Sequence, residues 1–537
     1  MTGPIAENDS ALRRRARQAI DAGQYALAEQ LLRDLARLAP RDVPVRMELA
    51  QAILRNGRMR EATQHLLDAV AFLPNDAPLI AQLAWRLSLQ GEILGARQCL
   101  DHLMRAPNPP PHVIAEQAHL RWMLGEVIVA SRLMERAAKA GLDTPGEYYL
   151  RGMLLQFEGR LDEAKQVLLA LLERWPEHAD AAVILANLHR QTPLANHLEL
   201  LRSLQARLPA QATHPRLRFA HAEYHSAQFK VLDDLGRWGE AWAQLEQCNR
   251  AMHALNPYDA LAEAAQVEAL EATAAALPAA APVGDAQADG PMPIFIVGLP
   301  RSGSTLLDHM LSAHSEVASA GEISDFQRQL HWVADVATID QASFSAMLAK
   351  AASIDFDLLG RRYLEQTRWR AQGRRFYIDK MPINLRMVPF IRRALPTAPI
   401  LHLVRAPMDV CYSNLKVMFG NTSAYCYDMA AMAHYHGLYR RLVRRWHALM
   451  PGAMLDVDYA ALVTHPEQTL ARVLAHCGLA MEPACLRPED NPAPVATPSS
   501  AQVREPVHTR ALEQWRRYEV QLEPLRRALE VEPDSSP

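Results

Sequence analysis

A glycine-containing loop that begins at Gly298 has the residue types of a phosphate-binding turn. It reads Gly298-Leu-Pro-Arg-Ser-Gly303-Ser-Thr305, after a short apolar run at 294–297 and before a helical apolar pattern. The run predicts a buried parallel strand. A strand, a loop and a helix in this order present backbone N–H groups and a helix N-terminus to an anion. The loop therefore predicts an anion site, with a glycine-rich turn that holds no ligand as the alternative.

The loop departs from the nucleoside triphosphatase pattern GxxxxGK[ST], because Ser304 stands at the position of the lysine. A triphosphatase needs that lysine at the β- and γ-phosphates. The cation available here is Arg301, inside the loop. The sequence thus predicts a smaller anionic group and no requirement for Mg²⁺. A P-loop kinase is a disfavoured alternative.

A second group of polar residues lies about 100 residues further along the chain. The apolar run 400–404 predicts another strand, and it is followed directly by Arg405 and then by a helical segment that contains Ser413. Ligands of open α/β sheets bind at the carboxyl ends of parallel strands, which is where Arg405 stands. An arginine and a hydroxyl eight residues apart can bind one phosphate together.

The first half of the chain is an internal repeat with a period of 34 residues. Columns of small residues and prolines recur in one register, and the two clearest are Gly23, Gly57, Gly91, Gly125, Gly159 and Ala28, Ala62, Ala96, Ala130, Ala164. A unit of this length fits two helices of roughly a dozen residues with their turns. The glycine ends the first helix in a left-handed conformation, and small residues let the paired helices approach closely.

The period and the GRLDEA turn at Gly159–Ala164 resemble the tetratricopeptide repeat. We predict a repeat array over 1–200, further repeat-like helices over 201–276, a Pro/Ala/Gly-rich linker over 277–292 and a second domain over 293–537. Stacked units of this kind form a superhelix with a concave groove. The groove predicts a protein or peptide partner.

Composition narrows the function classes. Lys+Arg number 57 against 60 Asp+Glu, for a net charge of −3, which disfavours a nucleic-acid binder. The six cysteines are scattered without a CxxC pair, so neither a disulfide scaffold nor a metal site is expected. The N-terminus lacks a signal-peptide pattern and no apolar run reaches 18 residues, so we expect a cytoplasmic protein without a membrane span.

The two anion-binding motifs together, GLPRSGSTLL and VRAPMDVCYSNL, resemble the sulfotransferase family. The similarity covers nearly all of 293–520 and is closest to the protein-tyrosine sulfotransferases, through PRSGSTLLDHMLSAHSEVASAGE, YIDKMP, VDYAALVTHPEQTL and SSAQVREPV. The resemblance implies a P-loop-like α/β domain with a parallel sheet. It also implies a sulfuryl donor, 3′-phosphoadenosine 5′-phosphosulfate (PAPS), and an acceptor hydroxyl, with protein tyrosine favoured.

The resemblance assigns roles position by position. The residues that match the 5′-phosphosulfate loop are Arg301, Ser302, Gly303, Ser304 and Thr305. Arg405 and Ser413 match the 3′-phosphate pair, and Tyr459, Gln502 and Val503 match the nucleotide contacts. The residues that match the catalytic positions are Glu322 as base, Lys380 and Arg301 on the sulfuryl group, and Ser499 as an assisting hydroxyl.

Two positions depart from the family pattern. Val417 stands where a basic residue is usual, with Lys416 adjacent, and Gln514 stands where a lysine precedes the tryptophan. Three alternatives stay open from the sequence. The acceptor could be a glycan or a small-molecule hydroxyl, the chain could be a repeat scaffold with an inactive nucleotide-binding domain, and Glu322 could simply cap a helix or be solvated.

Overall fold

The computed structural model describes residues 4–105, 108–209, 214–277, 290–338, 342–497 and 500–530. The N-terminal half is a helical repeat array, and the C-terminal half is an α/β domain with a parallel sheet, as the sequence predicts. Of the predicted linker, 278–289 lie outside the described residues. No helix in the described ranges is long and apolar enough to span a membrane.

The repeat half consists of antiparallel helix pairs. Its helices are α1 (Pro4–Asp21), α2 (Tyr25–Leu38), α3 (Val43–Arg55), α4 (Met59–Val70), α5 (Ala77–Leu89), α6 (Ile93–Met104), α7 (Pro111–Met123), α8 (Val127–Lys139), α9 (Pro145–Phe157), α10 (Leu161–Arg174), α11 (Asp180–Leu188), α12 (Leu198–Ala206), α13 (Pro215–Asp234), α14 (Trp238–Leu255) and α15 (Ala260–Ala276). Alanines of the second small-residue column, such as Ala28, Ala62 and Ala164, are fully buried between paired helices.

The glycine column ends the first helix of each pair, as predicted. All five glycines of the column have positive φ angles, between 70° for Gly23 and 86° for Gly57. Gly236, at φ 74°, repeats this turn between α13 and α14, within the stretch where further repeat-like helices are expected. A side chain is strained in this conformation, so glycine is the residue that costs least.

The C-terminal half is built on a five-stranded parallel sheet. Its strands are β1 (Met292–Gly298), β2 (Val317–Ser319), β3 (Phe376–Lys380), β4 (Ile400–Val404) and β5 (Leu455–Asp458), in the order β2-β3-β1-β4-β5. Both apolar runs predicted as strands are therefore strands, at the centre of the sheet. β1 lies between β3 and β4, so the loops after these three strands meet at one edge.

Helices cover the sheet. They are α16 (Ser304–Leu311), α17 (Asp325–Val333), α18 (Ser343–Ala349), α19 (Phe356–Thr367), α20 (Val388–Ala394), α21 (Pro407–Leu415), α22 (Met429–Leu449), α23 (Tyr459–Thr464), α24 (Pro466–His476) and α25 (Glu523–Glu530). Short 3₁₀ turns lie at Ala351–Ser353, Arg368–Ala371, Pro382–Met387, Ala424–Tyr427, Pro483–Leu486, Pro488–Asp490, Gln502–Arg504 and Gln514–Tyr518.

The two halves share a hydrophobic core. One cluster of buried side chains joins Leu171 and Leu232 of the repeat helices to Tyr412 and Tyr518 of the α/β half. The Tyr518 hydroxyl also donates to Asp233 Oδ1 at 2.7 Å. Burial of aromatic and aliphatic surface on both sides gives this contact the character of a domain core.

A buried charge network adds a second contact between the halves. Glu92, at the third repeat turn, accepts hydrogen bonds from Arg362 and Gln366 of α19. Next to it, Arg370 donates to the Leu124 carbonyl and, at 3.0 Å, to Asp325 Oδ2. Asp325 is fully buried, so Arg370 is needed to balance its charge as well as to join the two halves.

Replacing Arg370 with methionine leaves Asp325 in the interior with Arg328, at 3.2 Å, as its one cationic partner among the described residues. We expect Arg370→Met to lower the free energy of unfolding by about 3 kcal/mol, because it removes one partner of a buried ion pair. Arg361→Met is the control, since Arg361 pairs with Asp357 on an exposed helix face and its loss costs about 0.5 kcal/mol or less. Urea unfolding followed by circular dichroism measures both; equal midpoints for the two variants would contradict the prediction.

Candidate active site

The phosphate loop lies between β1 and α16, at the carboxyl edge of the sheet. Gly298, with φ 148°, and Gly303, with φ 108°, are in conformations that favour glycine, and Arg301 between them has φ 65°. Ser302, Ser304 and Thr305 are buried. The helix starts at Ser304, so its first N–H groups point into the loop, where an anion could accept from them.

Tyr459 packs directly against the loop. A Cβ atom added to Gly303 would lie 2.3 Å from Cδ2 of Tyr459, so only glycine allows the ring this position. The guanidinium of Arg405 lies over the Tyr459 ring, with its carbon 4.6 Å from the ring centre. The residues matched to the two phosphate motifs and the predicted nucleotide contact Tyr459 therefore meet in one place.

Three cations surround this place. Arg405 donates through Nη1 to the Arg301 carbonyl at 2.8 Å, and through Nη2 to the Ala511 carbonyl at 2.5 Å. Burial, and then the charge of Arg405, lower the pKa of Arg301 to about 10. Burial also lowers the pKa of Arg405. Cations that lose hydration and repel one another form a site that is stabilised by a bound anion.

The third cation is Lys416. Its Nζ donates to Gln514 Oε1 at 2.7 Å, so the structure pairs the lysine beside Val417 with Gln514, the second position that departs from the family pattern. Burial lowers the pKa of Lys416 to about 7; Asp233 opposes this shift, while Arg301, Arg405 and Lys230 add to it. Sequence spacing did not assign Lys416 to the site, because the usual cation is one residue further on.

Two buried polar atoms at the loop have no hydrogen-bond partner among the described residues. They are the hydroxyl oxygen of Ser302 and Nε of Arg405. Ser413, on α21, is also buried, and the neighbouring Asn414 fixes that helix by donating to the Pro300 carbonyl at 2.9 Å. Buried polar groups are normally hydrogen-bonded, so these atoms fit a bound anionic ligand such as the phosphates of PAPS.

A carboxylate–lysine pair lies at the end of β3, on the other side of the loop. Lys380, the last residue of the strand, is fully buried, and its Nζ donates to Oε1 of Glu322. Glu322 has 40% of its side chain exposed. The backbone N–H of Lys380 donates to the Gly321 carbonyl at 3.0 Å, which holds the loop of Glu322 against the strand. The carboxylate thus faces solvent while its position is fixed from inside.

Asp308, which the sequence did not single out, lies next to this pair. It accepts from the Ser319 hydroxyl at 3.1 Å, and burial raises its pKa to about 6, against the attraction of Lys380. Lys380 therefore has a second carboxyl group in its surroundings. The position of Asp308, four residues after Ser304 on the loop helix, is the only sequence signal that could have suggested it.

The remaining predicted residues lie along the C-terminal segment. Thr497 approaches Thr305, with 3.4 Å between the two hydroxyl oxygens. Val503 is buried and Gln502 is exposed, both in a 3₁₀ turn. Ser499, predicted to assist transfer, lies outside the described residues. Apart from Ser499, the structure gathers the predicted residues along one edge of the sheet and the adjoining segment.

A group of possible metal ligands occurs elsewhere on the sheet. His402, His447 and Asp456 each offer a donor atom, all within 4.8 Å of one another. His402 Nδ1 lies 2.7 Å and His447 Nε2 lies 3.1 Å from the same oxygen of Asp456, and His402 Nε2 lies 2.7 Å from the Tyr439 hydroxyl. These hydrogen bonds join β4, β5 and α22 away from the phosphate loop.

Family models match both halves of the chain. Residues 293–483 match the sulfotransferase family and residues 19–110 match the tetratricopeptide repeat. The C-terminal half is thus similar in sequence to sulfotransferases, and it follows a region of helical repeats.

Curated relatives align with less than half of this chain. An uncharacterized protein of Aquifex aeolicus is 30% identical over 251 residues, which are 43% of this chain and 31% of that protein. Protein-tyrosine sulfotransferase 2 of Gallus gallus is 26% identical over 238 residues, 41% of this chain and 62% of that protein. The protein-tyrosine sulfotransferase of Drosophila melanogaster is also 26% identical, over 41% of this chain and 46% of its own length. The chain therefore spans less than two thirds of each of these relatives.

Solved structures also match each half. The sulfotransferase domain of the Synechococcus PCC 7002 olefin synthase is 23% identical over 42% of this chain and 88% of that chain, with a TM-score of 0.30. A tetratricopeptide repeat protein of Parabacteroides merdae is 14% identical over 46% of this chain and 93% of that chain, with a TM-score of 0.32.

The lowered pKa of Lys416 predicts that anion binding depends on pH. An anion favours the charged lysine, so above about pH 7 binding must take up a proton. With adenosine 3′,5′-bisphosphate as the probe, we expect the affinity to fall between pH 7 and pH 9 by up to about tenfold per unit. Phosphate groups are already ionised in this range, with a second pKa of about 6.

Isothermal titration calorimetry at several pH values measures this dependence. The matched control is Lys416→Arg, because arginine keeps its charge throughout the range and should make the profile flat. A wild-type profile that is already flat between pH 7 and pH 9 would show that Lys416 does not face the anion.

Proposed function

We propose that this protein is a sulfotransferase that moves a sulfuryl group from PAPS to an acceptor hydroxyl, with protein tyrosine as the acceptor. The observation that carries the proposal is the meeting of two sites at one sheet edge. One is the loop with its cations, Arg301, Arg405 and Lys416; the other is the Glu322–Lys380 pair. The sequence similarity of residues 293–483 to sulfotransferases supports the same class of reaction.

The reaction exchanges one sulfur–oxygen bond for another. The bond between sulfur and the 5′-phosphate oxygen of PAPS breaks, and a bond between sulfur and the acceptor oxygen forms. The products are adenosine 3′,5′-bisphosphate and a sulfate ester, and the hydroxyl proton goes to a base. By analogy with phosphoryl transfer, positioning and charge stabilisation supply most of the catalysis.

The residues around the loop would hold the donor. The loop residues Ser302–Thr305 and Arg301 would bind the 5′-phosphosulfate, through N–H groups, hydroxyls and one guanidinium. Arg405, Ser413 and Lys416 would bind the 3′-phosphate. The ring of Tyr459, held between Gly303 and Arg405, would lie against the nucleotide.

The pair at the end of β3 would act on the acceptor side. Glu322 is exposed and would accept the proton from the acceptor hydroxyl as its oxygen attacks sulfur. Lys380 is buried beside it and would stabilise the negative charge that develops on the sulfuryl and bridging oxygens. Ser499 would assist as a hydroxyl donor.

Support for tyrosine as the acceptor comes from the relatives in Gallus gallus and Drosophila melanogaster, which are named protein-tyrosine sulfotransferases and are 26% identical to this chain. The repeat half offers a contact surface for a protein substrate. Trp85 is 39% exposed, and its ring lies 6.4 Å from that of His119, exactly one repeat later. We infer that the repeats recruit the protein that carries the acceptor.

Removing the charge of Glu322 tests the mechanism. We expect Glu322→Gln to lower turnover by about 10² to 10⁴, the usual contribution of a general base, while the affinity for adenosine 3′,5′-bisphosphate is kept. Transfer of ³⁵S from labelled PAPS into a lysate, separated into protein and small-molecule fractions, measures the change. Glu316→Gln is the matched control, since Glu316 is a nearby carboxylate that pairs with Arg375 at 3.4 Å, away from the loop.

The distribution of label decides the acceptor class. The full proposal is supported if hydrolysis of the protein fraction releases labelled tyrosine sulfate and if this label is absent with Glu322→Gln. Label in small molecules alone would keep the mechanism and replace the acceptor by a metabolite or glycan hydroxyl. Absence of label in both fractions would favour a repeat scaffold with an inactive domain.

A further inference from the structure

Three consecutive turns of the repeat array each accept a side chain from the α/β half. Gln329 donates to the Gly91 carbonyl at 2.7 Å, Arg370 donates to the Leu124 carbonyl, and Arg504 donates to the Phe157 carbonyl at 2.9 Å. Each carbonyl lies at the end of the first helix of a repeat, where the helix dipole is negative and a cation or N–H donor is favoured. These contacts are called the turn edge below.

The repeat glycines at the turn edge leave room for the close approach of these side chains. A Cβ atom would lie 2.7 Å from Gln329 Nε2 at Gly91, 3.0 Å from Arg370 Nη1 at Gly125 and 2.8 Å from Arg504 Nε at Gly159. At glycines of the same column outside the edge, such as Gly57, no atom of the described residues lies within 4 Å of that position. At Gly57 the glycine is therefore required only by the turn, whereas at Gly159 it also leaves room for the contact with Arg504.

The turn at Gly159 binds residues of the stretches 493–497 and 500–504, which are together called the anchored segment below. The Phe157 carbonyl accepts from Arg504 Nη2 and, at 3.0 Å, from the backbone N–H of Val495. Arg504 also donates to the Ala493 carbonyl at 3.2 Å. One carbonyl of the repeat array thus holds both ends of the segment.

The anchored segment reaches the phosphate loop. Thr497 lies against Thr305, and Ala496 packs on the apolar cluster of α7 to α9, as Trp122 and Tyr149 also do. Val503, next to Arg504, is buried. The described residues of the segment therefore contact both the repeat helices and the loop, and their position depends on where the repeat turn places Phe157.

The turn at Gly125 lies near the acceptor side. A Cβ atom on Gly125 would be 3.6 Å from the carbonyl oxygen of Ala320, two residues before Glu322. Arg370, which donates at this turn, also pairs with Asp325 shortly after Glu322. Two neighbouring repeat turns thus border the loop of Glu322 and the anchored segment.

We propose that Arg504 is a positioning residue, through which the fifth repeat turn, at Gly159, sets the donor-binding conformation of the anchored segment. The repeat array is then part of the donor site as well as a surface for recruitment. This inference rests on the proposed function, because the proposed donor contacts Gln502 and Val503 belong to the segment. It implies that a substitution in the repeat array alters nucleotide binding in the other half of the chain.

The decisive pair of variants is Gly159→Ala and Gly57→Ala in the full-length protein. The two glycines have φ angles of 80° and 86°, so alanine brings similar backbone strain to both turns. Only at Gly159 does the added methyl group meet Arg504. Calorimetry with adenosine 3′,5′-bisphosphate gives the affinity, and thermal unfolding gives the stability cost.

We expect similar falls in Tm for the two variants, but an affinity about tenfold weaker only for Gly159→Ala, because small displacements of positioning groups are costly. Arg504→Ala should weaken binding as much, and Arg504→Lys should restore part of it. Hydrogen exchange should become faster in 493–497 and 500–503 in Gly159→Ala and stay unchanged there in Gly57→Ala.

Equal affinities for Gly159→Ala, Gly57→Ala and wild type would overturn the role of Arg504, whatever their stabilities. Equal weakening by both glycine variants would also overturn it, because strain alone would then explain the effect. If wild type fails to bind the bisphosphate, the proposed function itself fails. The two failures are therefore distinguished by the wild-type titration.

Discussion

The interaction on which the rest of the structure depends is the concentration of positive charge around the phosphate loop. Arg301, Arg405 and Lys416 are brought together where burial lowers the pKa of each. This arrangement is unfavourable without an anion, so the surrounding fold must enforce it. The central strands β1 and β4 place the two arginines, carbonyls of Arg301 and Ala511 hold Arg405, and Gln514 holds Lys416.

The repeat array helps to hold these three cations together. Its last helices share a hydrophobic core with α21 and with Tyr518, just after Gln514. Its turns accept side chains from the α/β half at three successive units. The chain is therefore better described as one packed body than as a catalytic domain with a detachable arm, because buried apolar surface and buried charges are shared between the halves.

Much of this architecture could be predicted from the sequence. The 34-residue glycine column fixed the helix pairs, since a left-handed helix end is a local property of one residue. The apolar runs before Gly298 and Arg405 predicted two central strands, since a short apolar run is also a local property of the sequence. The carboxylate–lysine pair was assigned by resemblance, and its contact became visible only when the loop of Glu322 packed on β3. Lys416 was not assigned to the site from the sequence, because its contact with Gln514 joins residues 98 positions apart.

The sequence by itself determined what is periodic or local: the repeat, the strand–loop–helix unit and the presence of residue types suited to binding an anion. The tertiary structure decided which residues share an environment. The pairing of Lys416 with Gln514, the burial of Lys380 beside an exposed Glu322, and the hold of Phe157 on Arg504 all join distant parts of the chain. Such contacts depend on how two separately patterned halves pack together, and no local spacing encodes that packing.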